Sequence, residues 1–562
     1  MNTITKLFVA FFALFYVNGL HAQNFIWGKA YGGEGEDVVR AMTVDGEGTT
    51  YLTGYFTDTS VFGSGAETTT FTSGGFYDVF VSKTSTTGNL LWVKAFGAAA
   101  NEYGTAIATD AQGNVYVSGV FEESFDADPG TGVNILTTAG GLDIFVIKLN
   151  AEGNFVWAKS LGGEGYEETT AMGIDGAGNL YVAGYFYAAA NFNNGGAGGE
   201  LTPYGSSDGF IVKYAQDGTF TWAQQFGGTD IDLPVAMKVM NNGDLYLTGK
   251  FRETADFNPN PEASFTLSTE PDNSGVFVMH LNSAGYLQHA VNMGESPYEA
   301  ISRDLDVDSQ GNAYITGHYG GPMVFNPGGE NEISLDSGEF TEGFIAKVNF
   351  TTGVTWAKAF ECDAASFGLS VAVNSLSETF VSGFFAEAIV MGDIVLEQQS
   401  ENADDNFLAK LDAQGNFVNA YAYGGANYLD SHHLKIDDAN VLYIAGAFEN
   451  SVDLNPLTGE SLEVQSNGFR DTYIIKMDSN TLGVSNPDLK KITFYPNPVN
   501  DVAYIQSAEN LTGTDFNVYE ASGRGVIKGK IASGNTINLN TLSNGIYMVE
   551  VSNHAKFKII KN

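Results

Sequence analysis

Cysteine is almost absent: Cys362 stands alone in 562 residues. No intrachain disulfide can form, so packing must hold the fold. The lone thiol reads as a buried small residue, with no histidine or asparagine placed to activate it. Long apolar runs are missing too. The longest, Leu7 to Val17, has 11 residues, where a membrane helix needs about 20, so no transmembrane segment is expected. Positive charge is scarce: 26 Lys plus Arg face 66 Asp plus Glu. An acidic surface repels phosphate backbones, which excludes nucleic acid as a partner, and it keeps an exported protein soluble. Metalloprotease His-Glu-x-x-His and phosphate-loop Gly-Lys-Ser/Thr patterns are lacking, and no catalytic or cofactor-binding residue is nominated.

What the chain does have is a period. Trp27, Trp92, Trp157 and Trp222 are 65 residues apart, and the register continues through His289, Trp356 and Asn419. One supersecondary unit copied seven times is expected. In the second copy, Ala106-Ile107-Ala108-Thr109 and Val115 to Phe121 read as strands around the turn Asp110 to Asn114. Asp143 to Leu149 and Phe155 to Lys159 follow around the turn Asn150 to Asn154. Two hairpins make a four-stranded sheet. Such a sheet buries too little alone, so copies must pack face to face around an axis. The array opens with a fourth-type strand, Phe25 to Tyr31, and closes with a third-type one, Tyr473 to Met477. The expected fold class is all-β: a seven-bladed β-propeller whose N-terminal strand closes the last blade, which would remove exposed edges.

The residues behind that period also resemble a family. Asp-x-x-Gly-Asn-x-Tyr-Val-x-Gly, Asp-x-Phe-Val-x-Lys, Gly-Asn-x-x-Trp-Ala-Lys and a following Gly-Gly look like the bacterial β-propeller repeat known as SBBP, over about Asn24 to Asp478. Copy six departs: Asn374 to Phe380 lacks the turn glycine, and Glu361-Cys362 replaces Gly-Gly. These motifs are turn glycines and core aromatics, so the resemblance implies a fold and no reaction.

Charge divides the chain. Gln23 to Leu489 holds 17 Lys plus Arg against 61 Asp plus Glu; Lys490 to Asn562 holds 8 against 5. Four segments are expected: a signal peptide at 1–22, the propeller at 23–478, a linker at 479–491 and a small C-terminal module at 492–562. Strand alternation in the last suggests an immunoglobulin-like sandwich. Tyr495-Pro496-Asn497-Pro498 near its start, Gly545 and Tyr547 near its end and the basic strand Lys556 to Lys561 resemble the C-terminal sorting domain of type IX secretion cargo in Bacteroidota. That resemblance implies passage through the periplasm, recognition by the type IX machinery, and attachment to surface lipopolysaccharide after tail cleavage.

Candidate sites follow from strand geometry. Residues four and two before each first turn should face the axis, where charged ones interrupt small ones. Lys238, Asp304, Asp306, His433 and Lys435 are expected to form a polar channel cluster. On one face, acidic connections (Glu34, Glu36 and Asp37; Glu164, Glu167 and Glu168; Asp230 and Asp232) and the Asx-Pro loops with Asp126, Asp128, Asp256 and Asp453 offer oxygen ligands for Ca²⁺ or a basic partner. Their simpler role is to start turns. The expected protein is a secreted or surface monomer that binds a glycan or protein ligand. The alternative is an extracellular polysaccharide hydrolase or lyase using the channel.

Overall fold

The computed structural model describes residues 25–64, 67–260, 262–326, 331–398, 404–424, 433–455, 461–479, 493–495, 499–506, 511–520, 524–551 and 556–561. The expected signal, and the expected linker beyond Ser479, lie outside these residues.

The repeating unit is the expected pair of hairpins. In the second copy Glu102–Thr109, Val115–Phe121, Asp143–Leu149 and Phe155–Gly163 pair antiparallel in that order. The motif residues explain themselves. Asp110 Oδ1 accepts the amides of Gln112 and Asn114, each at 3.0 Å, and the Tyr116 hydroxyl donates to Oδ2 at 3.2 Å. Gly113 has φ of 77°, which only glycine adopts without strain. Lys148 lies 4.7 Å from the Tyr116 ring centre and donates to the Gln216 carbonyl of the next copy at 2.9 Å. Lys83, Lys213 and Lys476 repeat that reach to Ala151, Ser283 and Thr86. Trp27 and Trp92 donate to Thr86 and Ala151 from the adjoining strands. The period therefore records bolts between neighbouring sheets.

The two ends of the array meet. Phe25–Tyr31 runs antiparallel to Glu463–Asp478, with Trp27 opposite Lys476 and Tyr31 opposite Thr472. The ring closes through backbone hydrogen bonds across more than 440 positions of sequence.

Seven separate blades were expected, and among the described residues five stand as discrete sheets. The strands of the fourth and fifth copies share one ten-stranded sheet. The cause lies in the variable connection between second and third strands. It folds into a hairpin that pairs with the outer strand of the preceding copy, as Ala190–Asn191 does on Phe155–Gly163 and Thr254–Asp256 on Phe220–Gly228. In the fifth copy those hairpin arms run on unbroken from the blade strands as Ala313–Phe325 and Ile333–Asn349. Pairing of Gly294 with Phe325 and Glu295 with Val324 then joins the two sheets.

The junctions between blades hold an unusual feature. Asp471 and Asp37, Asp78 and Glu102, Asp143 and Glu167, and Asp208 and Asp232 form four equivalent pairs. All eight are buried. Each uses one oxygen to accept a backbone amide four residues earlier, as Gly163 N donates to Glu167 at 3.1 Å and Ala139 N to Asp143 at 2.8 Å. Each leaves its other oxygen buried with no donor. Burial, reinforced by the facing carboxyl, pushes Glu102 and Glu167 up to about 7 and Asp232 to about 8. Gly32, Gly97, Gly162 and Gly227 lie against these carboxyls. A Cβ at Gly97 would stand 2.4 Å from Asp78 Cγ. This is why a glycine stands first after the tryptophan strand. Gly97→Ala should destabilise the ring by about 2–4 kcal/mol, read from the denaturant midpoint. An unchanged midpoint would contradict so tight a fit.

The C-terminal residues form two sheets, Thr493–Tyr495 with Val502–Gln506 and Thr536–Asn538, and Asp515–Glu520 flanked by Gly525–Lys530 and Gly545–Val551, the latter paired with Lys556–Lys561. They share a core including Val499, Ile505, Phe516, Ile537 and Val549.

Candidate functional site at the channel mouth

The innermost strands enclose a central cavity of about 1050 Å³. Its floor is small, with Ala41, Ala106, Ala171 and Ala236 among the lining residues. Two of its charged residues, Arg40 and Arg303, arise from an irregularity. Each described inner strand except the short His433–Ile436 carries a register shift, at Val39/Ala41, Gly104/Ala106, Thr169/Ala171, Pro234/Ala236, Ser302/Asp304 and Gly368/Ser370. The residue inside each bulge is re-aimed. Arg40, Thr105, Thr170, Val235, Arg303 and Leu369 therefore all line the cavity.

A second layer of large side chains adjoins this ring. Arg40 lies 5.3 Å from the Tyr103 ring centre. Tyr55 packs on Tyr77 at 4.6 Å and on Tyr103 at 6.5 Å. Tyr166 and Tyr187 are 5.9 Å apart, as are Tyr187 and Tyr185. Glu168 accepts the hydroxyls of Tyr185 at 2.6 Å and Tyr166 at 3.2 Å. In the fourth to sixth copies Lys250 donates to Glu299 at 3.0 Å, and His318 Nε2 is 3.8 Å from the same carboxylate. The His318 contact, with Lys250 beside it, holds Glu299 down to about 2, so it stays ionised. Burial pushes the His318 imidazole down, and its ring rests 4.3 Å from Phe367.

The residues nominated from sequence divide. Lys238, Asp304, His433 and Lys435 line the cavity. Asp306 pairs with Lys238 at 2.8 Å, which raises the lysine. Both aspartates are also anchored to the adjacent inner strand: Asp304 Oδ2 accepts Val371 N at 3.1 Å and Asp306 Oδ2 accepts Val373 N at 2.9 Å. They satisfy amides that the innermost strand edge would leave open. The four loop aspartates are not brought together. Asp126, Asp256 and Asp453 each close their own hairpin by accepting two amides, and Asp128 accepts that of Gly130. Among the described residues no group of three His, Cys, Asp or Glu could hold a metal ion.

The acidic face needs correction too, because Asp37, Glu167 and Asp232 are buried junction residues rather than surface ligands. Gly205-Ser206-Ser207-Asp208-Gly209 spells Gly-x-Ser-x-Gly, but Ser207 is fully buried and leads into a strand, so it is no exposed nucleophile. Cys362 is buried, with Sγ 2.9 Å from the Ala386 carbonyl. His432 and Pro496, Asn497 and Pro498 lie outside the described residues; Tyr495, Gly545 and Tyr547 fall on strands.

The bulge ring and the tyrosine layer escaped sequence reasoning, which assumed strict alternation. The available signal was arginine at equivalent places in two copies, Arg40 and Arg303, in a chain with five arginines.

Parts of the chain are similar to known proteins. A WD repeat-containing protein, L264, of Acanthamoeba polyphaga mimivirus is 25% identical over 37% of this chain and 17% of its own length. Regulatory protein FlaEY of Caulobacter vibrioides is 27% identical over 31% of the chain and 18% of its own. The chain thus spans under a fifth of either relative. PorZ, a surface component of the type IX secretion system of Porphyromonas gingivalis, overlays 93% of this chain and 74% of its own at 12% identity and a TM-score of 0.27. No transmembrane-length apolar helix occurs among the described residues. Residues 493–562 match the secretion system C-terminal sorting domain, so this β-propeller chain carries the type IX export signal of a protein secreted or displayed at the cell surface.

Proposed function

We propose that the exported propeller is a binding module, with its ligand site at the channel mouth, and that the ligand is a glycan. In this reading seven four-stranded SBBP-type units make the ring, two of them fused, and the tail is an immunoglobulin-like sandwich. The observation that carries the reading is the tyrosine arc: Tyr55, Tyr103, Tyr166, Tyr185 and Tyr187 sit beside the opening, with carboxylates accepting the hydroxyls of Tyr55, Tyr166 and Tyr185. Rigid aromatic faces with polar rims suit sugar rings, because they supply contact area at little entropic cost. The acids of the mouth have assigned partners, which favours binding over acid–base hydrolysis.

A glycan array followed by calorimetry tests this. Tyr166→Ala and Tyr187→Ala remove rings that are 39% and 43% exposed. Each should weaken binding about 10-fold or more while leaving Tm nearly unchanged. Release of new reducing ends from a bound polymer would favour a hydrolase instead.

A further inference from the structure

The channel is richer in basic residues than the molecule as a whole. The body from Gln23 to Leu489 carries 17 basic against 61 acidic residues. Yet Arg40, Lys83, Lys238, Arg303 and Lys435 line the central cavity, against Asp45, Glu47, Asp110 and Asp304. Two of the five arginines occupy the equivalent bulge of different inner strands.

The acids close to the two arginines and Lys238 have partners. Glu36 faces the Tyr55 hydroxyl at 3.4 Å, Glu168 holds two tyrosine hydroxyls, and Glu299 takes Lys250 and His318. Asp304 and Asp306 are spent on strand amides, with Lys238 on Asp306. The arginines have no direct partner; burial lowers Arg303, and the charge of nearby Glu299 acts against that. Among the described residues neither Arg40 nor Arg303 makes an ion pair or a hydrogen bond, and both are exposed to the cavity. Arg40 lies over the Tyr103 ring, 5.3 Å from its centre.

We infer that the mouth binds an anionic glycan, with Arg40 and Arg303 as the groups that grip its acidic substituents. This rests on the glycan reading above. A guanidinium presents a planar fork of donors that fits a carboxylate or a sulfate ester bidentately. The tyrosines beside it would carry the sugar rings. The negative field of the body repels acidic polymers, so the two guanidiniums must supply the local attraction that confines binding to this opening.

The test uses the full exported chain, calorimetry and four probes: oligogalacturonate, its carboxyl-reduced neutral form, a sulfated oligosaccharide and neutral dextran. Arg40→Gln and Arg303→Gln should each weaken binding of the acidic probe about 10-fold, and the double variant about 100-fold. Arg303→Lys should recover part of the loss, which separates charge from folding. Preference between carboxylate and sulfate identifies the substituent. Equal binding of acidic and neutral probes, or full affinity in the double variant at unchanged Tm, overturns the inference and leaves a neutral-glycan site standing. No binding of any probe, together with a blank glycan array, overturns both readings.

Discussion

A chain that begins at Gly32, without Phe25–Tyr31, should fail to form a stable ring. The strand supplies the outermost member of the closing sheet, paired from Phe25 to Tyr31 along Glu463–Asp478. Its loss opens an edge of unpaired amides and carbonyls on a long strand, a template for aggregation. It also removes packing. Trp27 is 8% exposed and Tyr31 4% exposed, and both belong to a core shared with Tyr443 and Ile474 of the last copy and Val39 and Phe80 of the first. Losing two such aromatics alone costs about 3–5 kcal/mol each. The expected outcome is a fall in Tm on the order of 10 °C or more, with light scattering at micromolar concentration. Added peptide of sequence 23–31 should restore part of the loss, because the lesion is a missing strand. A truncated chain that melts like the parent would show that the ring does not depend on this closure.

The second large effect concerns pH. Asp37, Glu102 and Glu167 are pushed up to about 7, Asp232 to about 8, and Asp208 and Asp471 to about 6, each first by burial. In the unfolded chain these groups titrate near 4. Between those values the folded state binds more protons than the unfolded state, so stability falls as pH rises. Their stabilising contribution is complete below about pH 4 and is lost as pH climbs through 6 to 8. Each pair penalises the doubly ionised form by roughly 2–3 kcal/mol. Tm should therefore drop on the order of 5–10 °C between pH 5 and pH 9.

Net charge of −40 also favours the acid side by self-repulsion, so a local control is needed. Glu167→Gln keeps an acceptor for the Gly163 amide and removes one charge from a single junction. It should raise Tm at pH 9 and change it little at pH 5. Equal effects at both pH values would place the pH dependence in the global charge rather than in the pairs.

How far the residues spoke for themselves differs from one feature to the next. Tryptophan spacing reported the repeat because Trp157, Trp222 and Trp356 each pack edge-on against the tyrosine of their own blade's second strand, Tyr116, Tyr181 and Tyr314, while Trp27 and Trp92 reach a turn carbonyl in the next copy. A packing position set by blade geometry must recur at a fixed interval. Closure by Phe25–Tyr31 was legible because an orphan fourth strand and an incomplete last copy stood at opposite ends. The tail motifs were legible as a family likeness, and the match over 493–562 agrees.

Other features depended on three-dimensional contacts. Fusion of the fourth and fifth copies comes from hairpin arms that continue the blade strands without a break, a matter of strand length that turn residues do not mark. The junction carboxyls look like surface acids along the chain. Asp143 and Glu167 become a buried pair only when two sheets meet over Gly162.

By itself the sequence determined an all-β ring of repeated hairpins, joined end to end, with an export tail, because those properties are local periods and local motifs. Tertiary structure decided what the channel presents. A single extra residue in their inner strands turns Arg40 and Arg303 from the sheet face that alternation assigns them toward the axis, and a bulge is a property of two paired strands, invisible in either one alone.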